Sequence, residues 1–110
     1  YIHFSEATPA TDLVAAGKDV MVLRTFSKLY GMAGLRAGAA IARPEYLAKI
    51  RPYGAGALPV TGMIGALTSI QQKNLVPERR KANKQIREET FSFLEKHNIQ
   101  YVASDSNCFM

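Results

Sequence analysis

The sequence has one cysteine, Cys108, and no tryptophan in 110 residues. A single cysteine excludes an internal disulfide framework and any multi-cysteine zinc site, and it suits a reducing, cytoplasmic compartment. No apolar run approaches the roughly 18 residues that cross a bilayer. The richest stretch, residues 33–41, is full of Gly and Ala and is broken by Arg36. No membrane span and no metal site are expected. Acidic residues number 9 against 14 Lys and Arg, giving a formal charge of +5. Much of that excess lies in Pro77-Glu78-Arg79-Arg80-Lys81-Ala82-Asn83-Lys84. No zinc-finger, RNP or Gly-X-X-Gly clamp pattern accompanies it, so it reads as the solvated face of a helix, not as a nucleic-acid footprint. Internal repeats and low-complexity segments are also absent. The first residue is Tyr1, not Met, and the last four are Asn107-Cys108-Phe109-Met110. Both ends read as cut, as in an internal piece of a longer protein.

What is present is ordinary globular composition, 47% hydrophobic and 21% charged, enough for a small packed unit. Residues 1–4 read as a strand end and 5–9 as a turn. Residues 11–16 read as a short helix with Thr11 as its cap and Gly17 closing it. Val20-Met21-Val22-Leu23 is an apolar run of buried-strand type within 19–25, and Ala39-Ala40-Ile41-Ala42 is a second. Pro44 starts a helix with Glu45 in its first turn and Leu47 and Ile50 on one face. Residues 52–59 form a loop rich in Gly, Ala and Pro, a joint between two bodies. Helical spacing returns at Met63, Ile64, Leu67 and Ile70. A long helix opens at Pro77 and runs to about Lys96, with Ala82, Ile86, Thr90, Phe93 and Leu94 as its buried stripe. A strand is expected over 99–102. Strands alternating with helices indicate the α/β class.

The chemistry concentrates in Thr25-Phe26-Ser27-Lys28-Leu29-Tyr30-Gly31-Met32-Ala33-Gly34-Leu35-Arg36-Ala37-Gly38. A strand delivers Ser27 and Lys28 at its C-terminal end, the edge of an open α/β sheet where ligands sit. The glycines beyond it let backbone approach a ligand closely. An amine in apolar surroundings is freer to attack an aldehyde. An arginine suits a phosphate dianion through paired donors, and the hydroxyls of Ser27 and Thr25 are further donors. The loop is not a nucleotide P-loop, because Lys28 precedes the glycines and is followed by Leu29. Spacing alone suggests a phosphorylated carbonyl ligand without specifying one.

Thr-Phe-Ser-Lys-Leu-Tyr-Gly-Met-Ala-Gly-Leu-Arg-Ala-Gly resembles the lysine motif of fold-type-I pyridoxal-phosphate (PLP) enzymes of aminotransferase class I/II. The nearest branch is the histidinol-phosphate aminotransferase-like group. The resemblance covers essentially the whole chain. Tyr1-Ile2-His3-Phe4-Ser5 is similar to the family's Asp-Glu-Ala-Tyr segment and the residues after it. Ser106-Asn107-Cys108-Phe109 resembles a small-domain strand beginning Ser-X-X-Asn-Phe, from which Cys108 departs.

The resemblance implies part of a PLP-dependent transferase large domain, a mostly parallel sheet with helices, and the start of a C-terminal small α+β domain. The implied boundaries are 1–52 for the large-domain part, 53–76 for an interdomain loop and helix, and 77–110 for the start of the small domain. It implies that Lys28 forms the internal aldimine with pyridoxal 5'-phosphate and then moves the proton between substrate Cα and cofactor. Arg36 and Ser27 bind the phosphate, with Thr25 a further candidate, and Tyr1 bonds the phenolic oxygen. The implied reaction moves an amino group between an amino acid, or an amino-alcohol phosphate, and a 2-oxo acid, in a homodimer. A decarboxylase of a phosphorylated amino acid shares a similar motif, and a non-catalytic fragment is the other alternative. The 110-residue piece alone is expected to be inactive.

Overall fold

A computed structural model describes residues 1–54 and 56–110; Ala55, inside the expected joint, lies outside the described residues. The chain packs as two units, Thr8–Gln71 and Tyr1–Ala7 with Gln72–Met110.

The unit Thr8–Gln71 is organised around a two-stranded ribbon. Strand β1 is Val22–Thr25 and β2 is Gly38–Ile41. They pair antiparallel, with Val22 opposite Ile41 and Thr25 opposite Gly38. The described residues thus show one antiparallel pair and no parallel one. β1 is shorter than the expected 19–25, β2 is shifted one residue towards the N-terminus from the run at 39–42, and both are less covered than the apolar runs suggest. Val20 and Met21 fall outside β1, and Leu23 is 75% exposed. Helix α1, Thr11–Ala15, precedes the ribbon. Thr11 is its first helical residue and not its cap: Ala10 holds the cap position, without a side-chain bond. Gly17 closes the helix as expected, at φ +73, a left-handed turn that glycine adopts without steric cost.

Helix α2, Pro44–Ile50, begins where its proline requires, with Glu45 in the first turn. Arg43, just before it, meets Asp19 Oδ1 at 2.7 Å and Glu45 Oε1 at 2.9 Å. That links the segment entering β1 to the segment leaving β2, at the open end of the ribbon. A 3-10 turn, Arg51–Tyr53, follows α2. Helix α3, Val60–Gln71, then packs on a second 3-10 turn, Ala33–Leu35. The fit depends on small residues. A Cβ on Gly62 would lie 2.6 Å from the Leu35 carbonyl oxygen, so only glycine permits this approach. The core is Phe26, Met32 and Ala37, with Tyr30 and Ala66 packed against it.

In the other unit, helix α4 runs Leu75–Lys96, starting two residues before Pro77. A proline in the first helical turn loses no bond, since the N–H groups there have no intrahelical acceptor. The expected buried stripe is corrected in part. The covered face carries Asn83, Arg87, Thr90, Phe91 and Leu94, whereas Ala82 is exposed, Ile86 is 63% exposed and Phe93 is 55% exposed. Phe91 selects the face by stacking on Tyr101, ring centres 4.5 Å apart, and meeting Phe109 edge-on at 5.2 Å.

Two expected strand segments of this unit are not strands. Residues 2–4 form a 3-10 turn, Ile2–Phe4, closed by Phe4 N–H to the Tyr1 carbonyl at 2.9 Å. The turn packs on α4, where Arg80 Nε donates to the His3 carbonyl at 2.9 Å. Residues 99–102 are irregular, with Val102 N–H donating to the Met110 carbonyl in place of a ladder. Both segments have strand-like residues but no neighbouring strand among the described residues, and a strand needs a partner for its backbone groups. His97 and Asn98 end α4 as expected, Asn98 at φ +56. Among the described residues no helix is long and apolar enough to cross a membrane.

Candidate active site

The segment from Thr25 to Gly38 joins the two strands at one end of the ribbon, so both of its ends are anchored by the same ladder. Its apolar residues turn inward at every third position: Phe26, Leu29 and Met32 are buried, and Ala37 closes the set. Phe26 and Tyr30 rings lie 4.9 Å apart at a tilt of 47°. Backbone bonds fix the path between these anchors. Phe26 N–H donates to the Ala37 carbonyl at 3.1 Å, and Met32 N–H returns to the Phe26 carbonyl at 3.0 Å. Inside that loop Gly31 N–H donates to the Lys28 carbonyl at 2.9 Å, with Gly31 at φ +68. Lys28 therefore opens a tight turn whose close requires a left-handed residue.

With Phe26, Leu29, Met32 and Ala37 packed inward, the polar side chains are left outside that set. Thr25, Lys28 and Arg36 are exposed and Ser27 is half-buried. The structure brings these four candidates onto one loop. Tyr1 is placed in the other unit, 54% exposed, at the start of the Ile2–Phe4 turn. The apolar enclosure expected around Lys28 is not built by the described residues, because Phe26, Leu29 and Met32 pack inward.

Arg36 has a feature that its sequence does not signal. Its backbone is left-handed, φ 51 and ψ 45, at the end of the Ala33–Leu35 turn. For a residue with a Cβ this costs about 1–2 kcal/mol, and such strain collects at functional positions. From there its Nη1 donates back to the Ala33 carbonyl at 2.9 Å, which holds the guanidinium over its own turn. Thr25 is equally particular: its Oγ1 accepts the Ser27 N–H at 3.1 Å. At the far end of the loop, a Cβ on Gly38 would lie 2.9 Å from the Arg24 carbonyl oxygen, so the ribbon closes only with glycine there.

The aminotransferase class I and II family matches residues 1–110, the full length. The chain belongs to that family. A histidinol-phosphate aminotransferase of Lysinibacillus sphaericus is 32% identical over 109 residues, which is 97% of this chain and 30% of the relative. The homologous enzyme of Geobacter sp. is 52% identical over 56 residues, 48% of this chain and 16% of the relative. An aromatic amino acid aminotransferase of Mycolicibacterium vanbaalenii is 50% identical over 50 residues, 46% of this chain and 14% of the relative. A crystal structure from Erwinia carotovora atroseptica, provisionally named a histidinol-phosphate aminotransferase, superposes with a TM-score of 0.90 at 28% identity, covering 99% of this chain and 33% of that one. The chain thus spans about a third of the length of the relatives it matches end to end. The superposition agrees with the PLP-transferase architecture at the level of this piece.

The cofactor of this family joins a phosphate dianion to an aromatic aldehyde. The residues on the loop fit such a group chemically. A primary amine, a guanidinium and a hydroxyl belong to one anchored segment, and no acidic residue lies between Thr25 and Gly38 to repel the phosphate.

Proposed function

We propose that the enzyme moves an amino group between an amino acid, or an amino-alcohol phosphate, and a 2-oxo acid, using pyridoxal 5'-phosphate held covalently by Lys28. The observation that supports this most directly is the inward packing of Phe26, Leu29, Met32 and Ala37, which leaves Lys28 and Arg36 exposed on a single anchored loop. When bound, the cofactor supplies an electron sink for the pair released at the substrate carbon. Arg36, with Ser27, grips the phosphate, and the left-handed backbone presents the guanidinium for that contact. Lys28 takes the proton from substrate Cα and returns it during the exchange, the work of a general acid and base. Tyr1 bonds the phenolic oxygen of the cofactor.

The relatives named for histidinol phosphate favour an amino-alcohol phosphate as substrate, and the one named for aromatic amino acids favours an aromatic side chain. In this reading residues 1–52 belong to the PLP-binding large domain with its mostly parallel sheet. Residues 53–76 connect it to a small domain that starts at 77. The enzyme works as a cytoplasmic homodimer. The exposed free thiol of Cys108 suits that compartment.

The test has two parts. Borohydride reduction of the holoenzyme, followed by peptide mapping, should place the pyridoxyl mass on Lys28; a label on Lys18 or Lys49 would overturn the assignment. A screen of histidinol phosphate and aromatic amino acids against 2-oxo acids should yield new amino acids. Release of carbon dioxide instead would overturn the reaction.

A further inference from the structure

In the segment 1–5, three consecutive carbonyls accept hydrogen bonds. The Tyr1 carbonyl takes Phe4 N–H at 2.9 Å, and the Ile2 carbonyl takes Ser5 N–H at 3.1 Å and Ser5 Oγ at 2.9 Å. These bonds are internal, so they fix the shape of the turn but not its orientation on the unit. The His3 carbonyl instead accepts from Arg80 Nε of α4, at 2.9 Å. Phe4 is buried, but apolar contact is non-directional and lets the turn pivot, whereas a hydrogen bond is directional. The second contact of Arg80, from Nη1 to Glu6 Oε2 at 3.2 Å, is the weaker anchor, because the Glu6 side chain is 89% exposed. The guanidinium bond to the His3 carbonyl is charge-assisted, and it holds the turn two residues from Tyr1.

We propose that Arg80 is a positioning residue for Tyr1: its Nε fixes the Ile2–Phe4 turn, and so the direction from which the Tyr1 hydroxyl reaches the cofactor. The proposal rests on the reading above in which Tyr1 bonds the phenolic oxygen. A hydrogen bond donated to that oxygen stabilises its negative charge, so the Lys28 nitrogen joined to the cofactor holds its proton less tightly. The pH midpoint at which the bound cofactor changes its visible absorbance therefore reports how well Tyr1 is aimed. Folding stability does not set this midpoint.

Two substitutions separate the Nε donor from the charge of Arg80. Glutamine places an amide N–H at the position of Nε without the charge, and methionine places a methyl group there. In the full-length holoenzyme, Tyr1→Phe should raise the midpoint by about 1–2 pH units, the loss of one hydrogen bond to a charged group. Arg80→Met should raise it by about 0.5–1, the same bond misaimed. Arg80→Gln and Glu6→Gln should leave it at the wild-type value. In the Tyr1→Phe background, Arg80→Met should cause no further rise, because there is no hydroxyl left to aim. Where Arg80→Met yields no holoenzyme, Arg80→Lys takes its place: its donor lies one bond beyond Nε, and the midpoint should rise by a smaller amount.

A wild-type midpoint in that variant would overturn the proposal. So would an equal rise in Arg80→Gln, which assigns the effect to charge, or an equal rise in the Tyr1→Phe background, which assigns it to a path that bypasses Tyr1. A wild-type midpoint in Tyr1→Phe would overturn the role of Tyr1, and the proposal with it. A full-length enzyme without any such absorbance would overturn the cofactor reading itself, which keeps the three failures apart.

Discussion

Replacing Gly62 by alanine would put a Cβ 2.6 Å from the Leu35 carbonyl oxygen, where ordinary contact starts at 3.4 Å. The obstacle is backbone, so the alanine methyl cannot be accommodated by a rotamer change; α3 and the Ala33–Leu35 turn must separate by roughly 0.8 Å. Overpacking of this kind costs about 1–3 kcal/mol. The gain in helix propensity, about 1 kcal/mol in a helix interior, offsets less here, because Gly62 is the third residue of α3. The expected net loss is about 1–2 kcal/mol.

Gly65 supplies the control. Its nearest obstacle is Met32 Cε at 2.9 Å, the free end of a flexible side chain. Gly65→Ala in mid-helix should therefore be neutral or stabilising by up to about 1 kcal/mol. Gly34, although inside the motif, has nothing within 4 Å of its added Cβ, and Gly34→Ala should shift stability by no more than about 0.5 kcal/mol. Urea unfolding midpoints of the three variants rank them. Cofactor affinity gives an independent reading, because the displaced turn ends on Arg36. Gly62→Ala should bind pyridoxal phosphate several-fold more weakly and Gly65→Ala as wild type. Equal stability and affinity for these two would refute the packing of α3 on the turn.

Lys28→Ala should reduce turnover by at least the roughly 10²–10⁴-fold attributed to a general acid–base group, with cofactor still retained through its phosphate; substantial residual transamination would remove Lys28 from the chemistry. Arg36→Ala should weaken cofactor binding about tenfold to a hundredfold, and Arg36→Lys should recover part of it for want of paired donors. Arg36→Gly should bind as poorly as the alanine variant yet fold about 1 kcal/mol more stably, since glycine relieves the left-handed backbone; equal stability of the two would refute the strain. In the other unit, the hydrogen bond from Tyr101 Oη to Glu95 Oε1 at 2.8 Å, with burial and the carboxylate charge adding to it, raises the Tyr101 pKa above its ordinary 10.0. The protonated phenol is the form favoured on folding, so its contribution is complete below the unfolded pKa and is lost as pH rises through the folded one. Tyr101→Phe should be less stable than wild type at neutral pH and should approach it as pH rises through the folded pKa, as read from urea midpoints; a constant difference would exclude the linkage.

The helices are legible in the sequence because their signals are local. Pro44 with Glu45, the spacing of Met63, Leu67 and Ile70, and the long charged run to Lys96 each depend on residues within one element, and α2, α3 and α4 form there. Strand signals depend on partners elsewhere. The segments at 2–4 and 99–102 carry suitable side chains, yet no described strand lies beside them, and the backbone closes a turn in one place and in the other bonds to the Leu94 and Met110 carbonyls. The buried stripe of α4 is ambiguous in the sequence for a related reason. Ile86 and Phe93 satisfy the period as well as Phe91 does, and the choice of face is settled by Tyr101 and Phe109, ten and eighteen residues further on than Phe91.

At the site, residue types are legible in the sequence and their arrangement is not. Lys28, Ser27, Thr25 and Arg36 stand out for what amines, hydroxyls and guanidinium groups do, and the structure collects them on one loop. The segment looks aperiodic because neither 3.6 nor 2 describes it. Its period is three, Phe26, Leu29 and Met32, which is the spacing of successive turns. That spacing determines which side chains are withdrawn and leaves Lys28 exposed between buried Phe26 and Leu29. The left-handed Arg36 arises from the same packing. Leu35 must present its carbonyl to Gly62 while Ala37 turns into the core, and the one residue between them absorbs the reversal. Glycine would do so without strain, but glycine has no guanidinium. An arginine held where glycine is preferred is therefore what a phosphate-binding role at position 36 would demand, and Arg36→Gly separates the stability of the fold from that role.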